Sequence, residues 1–286
     1  MSYRIQKVGV FGIFVLASIY SSPALSFECT RSTKYDFVSL RWDGLNPIPY
    51  ATQKNEVQKI SPELLQSALE FGFSAWSEPS CSSLRFEYKG EVEVDTPLSD
   101  MNQIITISDD WPEGTIDAVG LTTMTYNSLN GVIKYGKIEI NESTFQFVDV
   151  LENNCSFSSE YDLHSVLTHE IGHFIGLAHL SLEDAQSRLD LGEDPASMSR
   201  QVEPCDFQFR SLEADDLEGA CYMYPAGQNS RNCATLPSQE SSFILNDSFS
   251  CQSHSWATPQ DSNSSLYVLA LGLLGLALRR RKKGQG

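Results

Sequence analysis

The residues best suited to chemistry stand together in the segment HEIGHFIGLAH, which runs from His169 to His179. His169 and His173 are four residues apart, so on a helix both imidazoles point from one face towards one position. That arrangement suits two nitrogens at about 2.0–2.1 Å from a zinc ion. Gly176 lets the helix end and the chain turn, because glycine accepts a left-handed conformation, and His179 then follows as a third ligand. Three neutral nitrogens leave a fourth position for water, so the spacing predicts a catalytic Zn²⁺ site.

Glu170 follows the first of these histidines and is expected to face the open position of the metal. A carboxylate placed there can act as general base, because zinc lowers the pKa of its bound water and the carboxylate accepts the proton. The sequence therefore predicts Glu170 as the catalytic residue, with His169, His173 and His179 as the metal ligands.

A bare HExxH pattern also occurs on ordinary amphipathic helices, whose histidines lie on the surface or in the core. The full pattern is much rarer, since the His, Glu and Gly frequencies of this chain give a chance occurrence on the order of 10⁻⁵. The chain has only five histidines, and three of them belong to this pattern. His164 faces roughly 140° away from His169 on the helix, which favours a core or surface position, and His254 receives no role.

The segments around this helix have patterns that predict an α+β domain with a mixed sheet. A strand is predicted at Asn46–Thr52, and Ser61-Pro62-Glu63 then begins a helix, with serine as N-cap and proline at its first position. The apolar face of this helix continues to Trp76. Alternating apolar residues predict four more strands, the last two joined by a hairpin turn at 127–131. These strands are Leu84–Tyr88, Gln103–Ser108, Leu121–Tyr126 and Val132–Ile140, and two further helices are predicted at Asp162–Gly176 and Leu212–Tyr222.

The pattern HExxHxxGxxH is the signature of the metzincin metalloproteases, and the chain resembles their matrixin branch over about residues 40–225. The resemblance assigns Met198 to the methionine turn beneath the metal, with a core-filling methionine as the alternative. It implies a zincin-like catalytic domain, in which a mixed twisted sheet accompanies an active-site helix and a C-terminal helix. It also implies that an extended substrate lies antiparallel to an edge strand, here Leu121–Tyr126. Other matrixin-like features are Arg41-Trp42, the helix ending at Trp76, Gly176-Leu177, and Leu212–Tyr224 with Asp215 and Asp216.

Some positions around the motif depart from the matrixin pattern. Leu180 follows the third histidine, where matrixins often have serine. The stretch from His179 to Met198 is longer than usual, which predicts an insertion at residues 181–194 beside the cleft. Ser199-Arg200 replaces the usual tyrosine and proline, so the specificity pocket is expected to differ.

The resemblance also bears on further metals and on latency. Residues 84–145 contain no histidine, so the structural zinc of the family is expected to be absent. Ca²⁺ stays open, because acidic residues are plentiful but form no calcium-loop pattern. No propeptide motif of the PRCGxPD type precedes the domain, and Cys29 is expected in a disulfide instead of an inhibitory role.

The charge of the chain excludes one class of partner. Its formal net charge is −17; the first 26 residues carry +2 and the tail Arg279–Lys283 carries +5, so the remainder carries −24. A body this acidic repels phosphate backbones, and no nucleic-acid partner is expected.

Both ends of the chain have the composition of targeting segments. Residues 1–26 are predicted to be a secretory signal peptide cut before Phe27, with a buried strand or anchor helix as the alternative. The apolar run Leu266–Leu278 would reach about 20 Å as a helix, short of a hydrocarbon core of roughly 30 Å. With its basic stop it forms an anchor or sorting segment at 266–283. It is expected to be the only part of the chain that contacts a membrane, and a sorting protease is a candidate partner that removes it.

All seven cysteines follow the predicted cut, which favours disulfides in an oxidising compartment. The seven are Cys29, Cys81, Cys155, Cys205, Cys221, Cys233 and Cys251. Their odd number leaves one unpaired, and Cys251 is the candidate, although a Cys233–Cys251 bridge is equally compatible with the sequence. Residues 227–265 are rich in Ser, Asn and Gln and are predicted to be a polar linker that follows a metalloprotease domain at 27–226.

Together these features predict an exported zinc endopeptidase, extracellular or attached to the cell surface, that acts on protein or peptide substrates. One alternative is a surface adhesin in which zinc only stabilises the fold. Glu170 argues against it, because a structural site does not need a carboxylate there. A zinc hydrolase with a non-peptide substrate is the other alternative.

Overall fold

The computed structural model describes residues 27–233 with internal gaps, together with the backbone of residues 269–272. The gaps are residues 45, 55–57, 108–110, 113–116, 154, 156–158, 182, 185, 187–189, 191–193 and 201. The predicted signal peptide, most of the predicted linker with Cys251 and His254, and the basic end of the tail therefore lie outside the described residues.

The described elements confirm the α+β class with a mixed sheet. In chain order the strands are β1 (Glu28–Cys29), β2 (Ile48–Gln53), β3 (Phe86–Val92), β4 (Gln103–Ile107), β5 (Ala118–Tyr126), β6 (Ile133–Asn141), β7 (Gln146–Val148), β8 (Glu160–Asp162), β9 (Leu177–Ala178) and β10 (Leu269–Gly272). The helices are α1 (Pro62–Ser77), α2 (Leu163–Phe174) and α3 (Ala214–Met223), and a 3₁₀ turn spans Gln208–Arg210.

Helix α1 begins where the sequence predicts it. The Ser61 hydroxyl accepts a hydrogen bond from the Leu64 amide at 3.1 Å, which satisfies one of the free amides of the first turn. The apolar face of α1 is buried against α2, and the Trp76 indole donates to the Thr168 carbonyl at 2.8 Å. A Cβ at Gly72 would lie 2.8 Å from Ile171 Cδ1, so the two helices cross too closely for any larger residue.

The main sheet has the order β10-β5-β6-β4-β2-β3. Strands β3, β2, β4 and β6 are parallel neighbours, whereas β5 returns antiparallel to β6 through the predicted hairpin. Gly131 ends this turn with φ +73°, a conformation that glycine adopts without strain. Helix α2 contacts β5 and β6 as well as α1, so it packs against both the sheet and the first helix.

The expectation of an apolar helix in the tail is wrong over Leu269–Gly272, and the expected edge strand Leu121–Tyr126 is covered in part. Leu269–Gly272, expected in an apolar helix, forms β10, which pairs antiparallel with β5 through Leu269 opposite Thr122 and Ala270 opposite Leu121. β5 is therefore not a free edge over Ala118–Thr122. Glycine costs about 1 kcal/mol in a helix, and the outer side of β5 offers unpaired backbone groups to an apolar strand. Within the described residues, no helix is long and apolar enough to cross a bilayer.

Three disulfides join Cys29 to Cys233, Cys81 to Cys221 and Cys155 to Cys205. The first of them rules out the Cys233–Cys251 alternative and confirms that Cys29 is a disulfide cysteine. It also fixes the chain beyond residue 226, where the Asn232 side chain accepts a hydrogen bond from the Ser39 amide at 2.7 Å. The domain boundary drawn at residue 226 stays a prediction, although the described packing continues to Cys233.

Candidate metal centre

Helix α2 carries the motif, and both of its ends are fixed by specific contacts. At its N-terminus the Asp162 carboxylate accepts a hydrogen bond from the Ser165 amide at 2.9 Å. At the other end Gly176 has φ +97°, and a Cβ there would lie 2.2 Å from the Leu40 carbonyl oxygen. Only glycine fits this turn. The chain then passes through β9 and brings His179 close to His169 and His173.

The three motif histidines meet as predicted. Their Nε2 atoms are 3.0 Å apart between His169 and His173, and 3.1 Å apart in each pair that includes His179. Three ligands of a tetrahedral zinc with Zn–N bonds of 2.0–2.1 Å would be separated by about 3.3 Å. All three rings are buried, and the triad matches a zinc site in size and in donor type.

Hydrogen bonds on the far side of two rings fix which nitrogen faces the centre. His169 Nδ1 donates to the Ser197 carbonyl, and His173 Nδ1 donates to the Leu177 carbonyl at 2.9 Å. Burial lowers the pKa of His169 to about 4 and holds the pKa of His173 and of His179 well below the usual value. The rings are therefore neutral at pH 7, and Nε2 lone pairs that face one another call for a shared cation.

Glu170 lies fully buried beside the triad and contacts β5. Its Oε2 accepts a hydrogen bond from the Thr122 hydroxyl at 2.5 Å, whereas its Oε1 has no hydrogen-bond partner among the described residues. Burial raises the pKa of Glu170 to about 8, and the Thr122 hydrogen bond opposes this rise. A cation at the triad would favour the ionised carboxylate, because a bound metal is the largest local charge.

Met198 packs against α2 at Gly172, which lies between His169 and His173 in the sequence. Its Sδ is 2.2 Å from the position that a Cβ on Gly172 would take, so the absence of a side chain on α2 creates its space. The Ser197 and Met198 amides donate to the Asp216 carboxylate at 2.8 and 3.2 Å, and α3 thereby fixes the turn that carries Met198. Sequence reasoning noted Asp216 as matrixin-like without assigning this contact.

The residues around Met198 include Ser199 and Arg200, which differ from the matrixin pattern. The Leu180 amide donates to the Met198 carbonyl at 3.0 Å, so the residues on either side of the segment 181–197 are in contact. Arg200 turns back and donates through Nε to the Leu180 carbonyl. A small cavity beside the first metal-ligand candidate is lined by Ser165, Val166, His169, Ser199, Val202 and Phe209.

His164 lies outside the triad, as predicted, and belongs to a second cluster at the start of α2. Arg210 donates through Nε to Asp162 at 2.7 Å and through Nη2 to Asp149 at 2.6 Å. His164 Nδ1 is 4.0 Å from the Asp149 carboxylate, and burial lowers the pKa of this histidine. Because the guanidinium engages both carboxylates, the cluster is an ion-pair network that anchors α2.

Residues that the sequence analysis did not single out complete the centre. Thr122 was predicted only as part of an alternating strand, and Gly120 fell just before it. Ser197 entered only as a neighbour of Met198. No local pattern reveals such contacts, since Thr122 and Glu170 are 48 positions apart and meet through sheet and helix packing.

Comparison with known proteins gives consistent matches. A family model described as matrixin matches residues 41–224. Metalloendoproteinase 2-MMP of Arabidopsis thaliana is 30% identical over 128 residues, which cover 45% of this chain and 30% of that relative. Metalloendoproteinase 5-MMP of the same plant is 37% identical over 87 residues, which cover 30% of this chain and 21% of the relative. The chain thus spans less than a third of the length of the curated relatives it matches.

Proposed function

Because the chain belongs to the matrixin family, we propose that it is a zinc-dependent endopeptidase that hydrolyses peptide bonds of protein substrates. The observation that carries the proposal is the buried triad of Nε2 atoms no more than 3.1 Å apart, with the Glu170 carboxylate beside it. In this proposal His169, His173 and His179 hold the metal, and Met198 forms the turn below it.

The reaction assigns one role to each group. Bound zinc supplies polarisation of the scissile carbonyl and a lower pKa for the attacking water. Glu170 Oε1 accepts a proton as the water oxygen bonds to the carbonyl carbon. Glu170 then delivers that proton to the amide nitrogen as the C–N bond breaks. Two contacts of the Glu170 carboxyl group support this role: Oε1 has no hydrogen-bond partner among the described residues, and Oε2 is engaged by Thr122.

Strand β5 is the proposed platform for the substrate backbone. An extended peptide that pairs antiparallel with β5 gains affinity from main-chain hydrogen bonds. Over Ala118–Thr122 that position is taken by β10 in this structure. A substrate that binds there must therefore displace β10 first.

Export belongs to the proposal as well. The predicted signal peptide supports it, and the three disulfides fit an oxidising compartment. The tail after residue 266 is proposed as an anchor or sorting segment, on the basis of its apolar run and basic stop. The intact mass of the secreted chain would show whether either end is removed.

The test is cleavage of an unfolded protein substrate by the full chain, with Glu170→Gln as the matched variant and a chelator as control. We expect the wild type to cleave, the chelator to abolish cleavage, and Glu170→Gln to retain zinc with at least about 100-fold lower kcat, the lower end of the range for general acid–base catalysis. A wild type that binds zinc but cleaves no peptide bond would favour the adhesin or the non-peptide hydrolase. A chain that binds no zinc would overturn the assignment of the triad.

A further inference from the structure

Two residues of β5 on the same face of the strand surround the Glu170 carboxyl group. Thr122 Oγ1 is 2.5 Å from Oε2 of Glu170 and 3.1 Å from its backbone carbonyl oxygen. At Gly120, an added Cβ would lie 2.7 Å from Oε1, 2.9 Å from Cγ and 3.0 Å from Cδ of the same side chain. Residues two apart on a strand share a face, so one short segment holds one carboxylate oxygen and leaves space for the other.

We propose that Thr122 is a positioning residue that fixes the orientation of the Glu170 carboxylate, and that Gly120 provides the space which this orientation requires. The inference rests on the proposed function, since it concerns the proposed base. It goes further by assigning the control of that base to the same strand that is proposed to bind the substrate.

A glutamate carboxylate needs such a partner because its own torsion does not fix it. The last side-chain torsion of glutamate is broad and roughly two-fold, so rotamer preference alone leaves the carboxylate plane free to turn. The hydroxyl of Thr122 carries a single proton, and at 2.5 Å that proton is best given to Oε2. A hydrogen bond to a charged acceptor is about twice as strong as a neutral one. It leaves Oε1 as the oxygen that has no hydrogen-bond partner among the described residues.

Thr122 is itself rigidly held. Its side chain is fully buried, and its backbone pairs with Ile138 of β6 on one side. A β-branched residue has restricted χ1 rotation, so the direction of its hydroxyl is set by the strand. Gly120 lies in the same strand opposite Ile140, and its missing Cβ cannot be replaced without moving the carboxyl group.

The arrangement ties base and substrate to one rigid element. A peptide paired along β5 would have its position fixed by that strand, and Thr122 would hold the base to the same strand. Any displacement of β5 would move both together. A buried threonine that merely satisfies its own hydroxyl would stabilise the fold, but it would have no selective effect on the chemical step.

The experiment compares two buried threonine hydroxyls in the full, zinc-loaded chain. Thr122→Val removes the contact with Glu170 and keeps the shape of the side chain. Thr52→Val is the matched control, because the Thr52 hydroxyl on β2 is hydrogen-bonded to the Tyr88 hydroxyl at 2.8 Å, remote from the triad. Thr122→Ser restores the hydroxyl. Zinc content is measured for each variant, so that loss of metal is separated from loss of positioning.

We expect Thr122→Val to lower kcat by about 10- to 100-fold with KM nearly unchanged, which corresponds to one hydrogen bond to a charged group. Thr122→Ser should recover most of kcat, and Thr52→Val should keep it. If Thr122→Val retains wild-type kcat while Glu170→Gln is inactive, the positioning role is overturned and the proposed function stands. If Thr122→Val does not fold, Thr122→Ala against Thr122→Ser isolates the same hydroxyl.

A second readout needs no activity. In the zinc-free chain, unfolding of Thr122→Val, Glu170→Ala and the double variant forms a double-mutant cycle, because alanine removes both carboxylate oxygens. We expect the shift of the double variant to differ from the sum of the single shifts, because the two groups contact each other. Additive shifts would overturn the contact. Coupling in a chain whose wild type proves inactive would support the contact, while the proposed function itself would have failed.

Discussion

Two of the three imidazoles in the triad are oriented by backbone carbonyls and not by other side chains. The Ser197 and Leu177 carbonyls accept hydrogen bonds from the Nδ1 atoms of His169 and His173, which leaves both Nε2 atoms directed to the centre. Since the residue before Met198 supplies the first carbonyl and β9 supplies the second, ring orientation depends on chain segments outside the helix. Such outer contacts tune metal affinity by about 10- to 100-fold.

The contribution of each histidine can be measured directly. We expect His179→Ala to lower zinc affinity by more than about 100-fold, because it removes a ligand and not merely an outer contact. His164→Ala is the matched control, a buried histidine at the other end of α2, and should keep zinc affinity. Competition with a chelator of known affinity provides the measurement. Equal losses in both variants would show that general destabilisation, and not ligation, is being measured.

The C-terminal end of helix α2 is held by specific hydrogen bonds. Its last turn is covered by aromatic donors from distant segments, with the Trp42 indole donating to the Phe174 carbonyl at 2.8 Å and the Tyr224 hydroxyl to the Ile175 carbonyl at 2.5 Å. These contacts satisfy carbonyls that no further helical turn can use. The helix end is therefore fixed in space, and Gly176 redirects the chain from a defined point towards His179.

Gly176 has both a positive φ and a close contact with Leu40, and comparison with Gly44 separates these two effects. Gly44 has a similar φ of +91°, but an added Cβ would meet nothing within 4 Å, whereas at Gly176 it would meet the Leu40 carbonyl at 2.2 Å. We expect Gly44→Ala to cost about 1–2 kcal/mol of unfolding free energy from backbone strain alone. Gly176→Ala should cost more and should also weaken zinc binding. Denaturant unfolding and zinc competition test both, and equal effects would contradict the assigned role of Gly176.

Three contacts join residues that lie far apart in the described part of the chain. The Cys29–Cys233 disulfide links residues 204 positions apart, and the Cys155–Cys205 disulfide links the loop before α2 to the segment after Met198. Strand β10 adds a third long-range contact, on the outer side of β5. Two of these three contacts involve segments that the sequence assigned to linker or tail.

Removal of β10 should change substrate binding without changing the chemical step. A chain that ends after Cys233 is expected to have a lower KM than the full chain and a similar kcat, because the backbone of Ala118–Thr122 is free to pair. Ala270→Pro in the full chain is the matched variant, since proline cannot donate to the ladder and weakens the strand. Steady-state kinetics on a peptide substrate provide the test. An unchanged KM in both proteins would show that β10 does not compete with substrate.

Features that depend on neighbours along one helix or strand can be predicted from the amino-acid pattern. The spacing of His169 and His173, the Ser61 cap of α1 and the hairpin at 127–131 follow from local geometry, and the structure confirms each of them. The matrixin family was recognised for the same reason, because its signature lies within one helix and the turn that follows.

Contacts between different helices and strands could not be predicted in this way, because they depend on how the elements pack. The contact of Thr122 with Glu170 depends on the register of β5 and on how α2 crosses the sheet, and the bond from Ser197 to Asp216 depends on the packing of α3. The pairing of the cysteines is equally non-local, since the seven residues alone permit many arrangements. Strand β10 forms where a helix was expected, because pairing with the backbone of β5 overrides the helix propensity of its leucine and alanine residues.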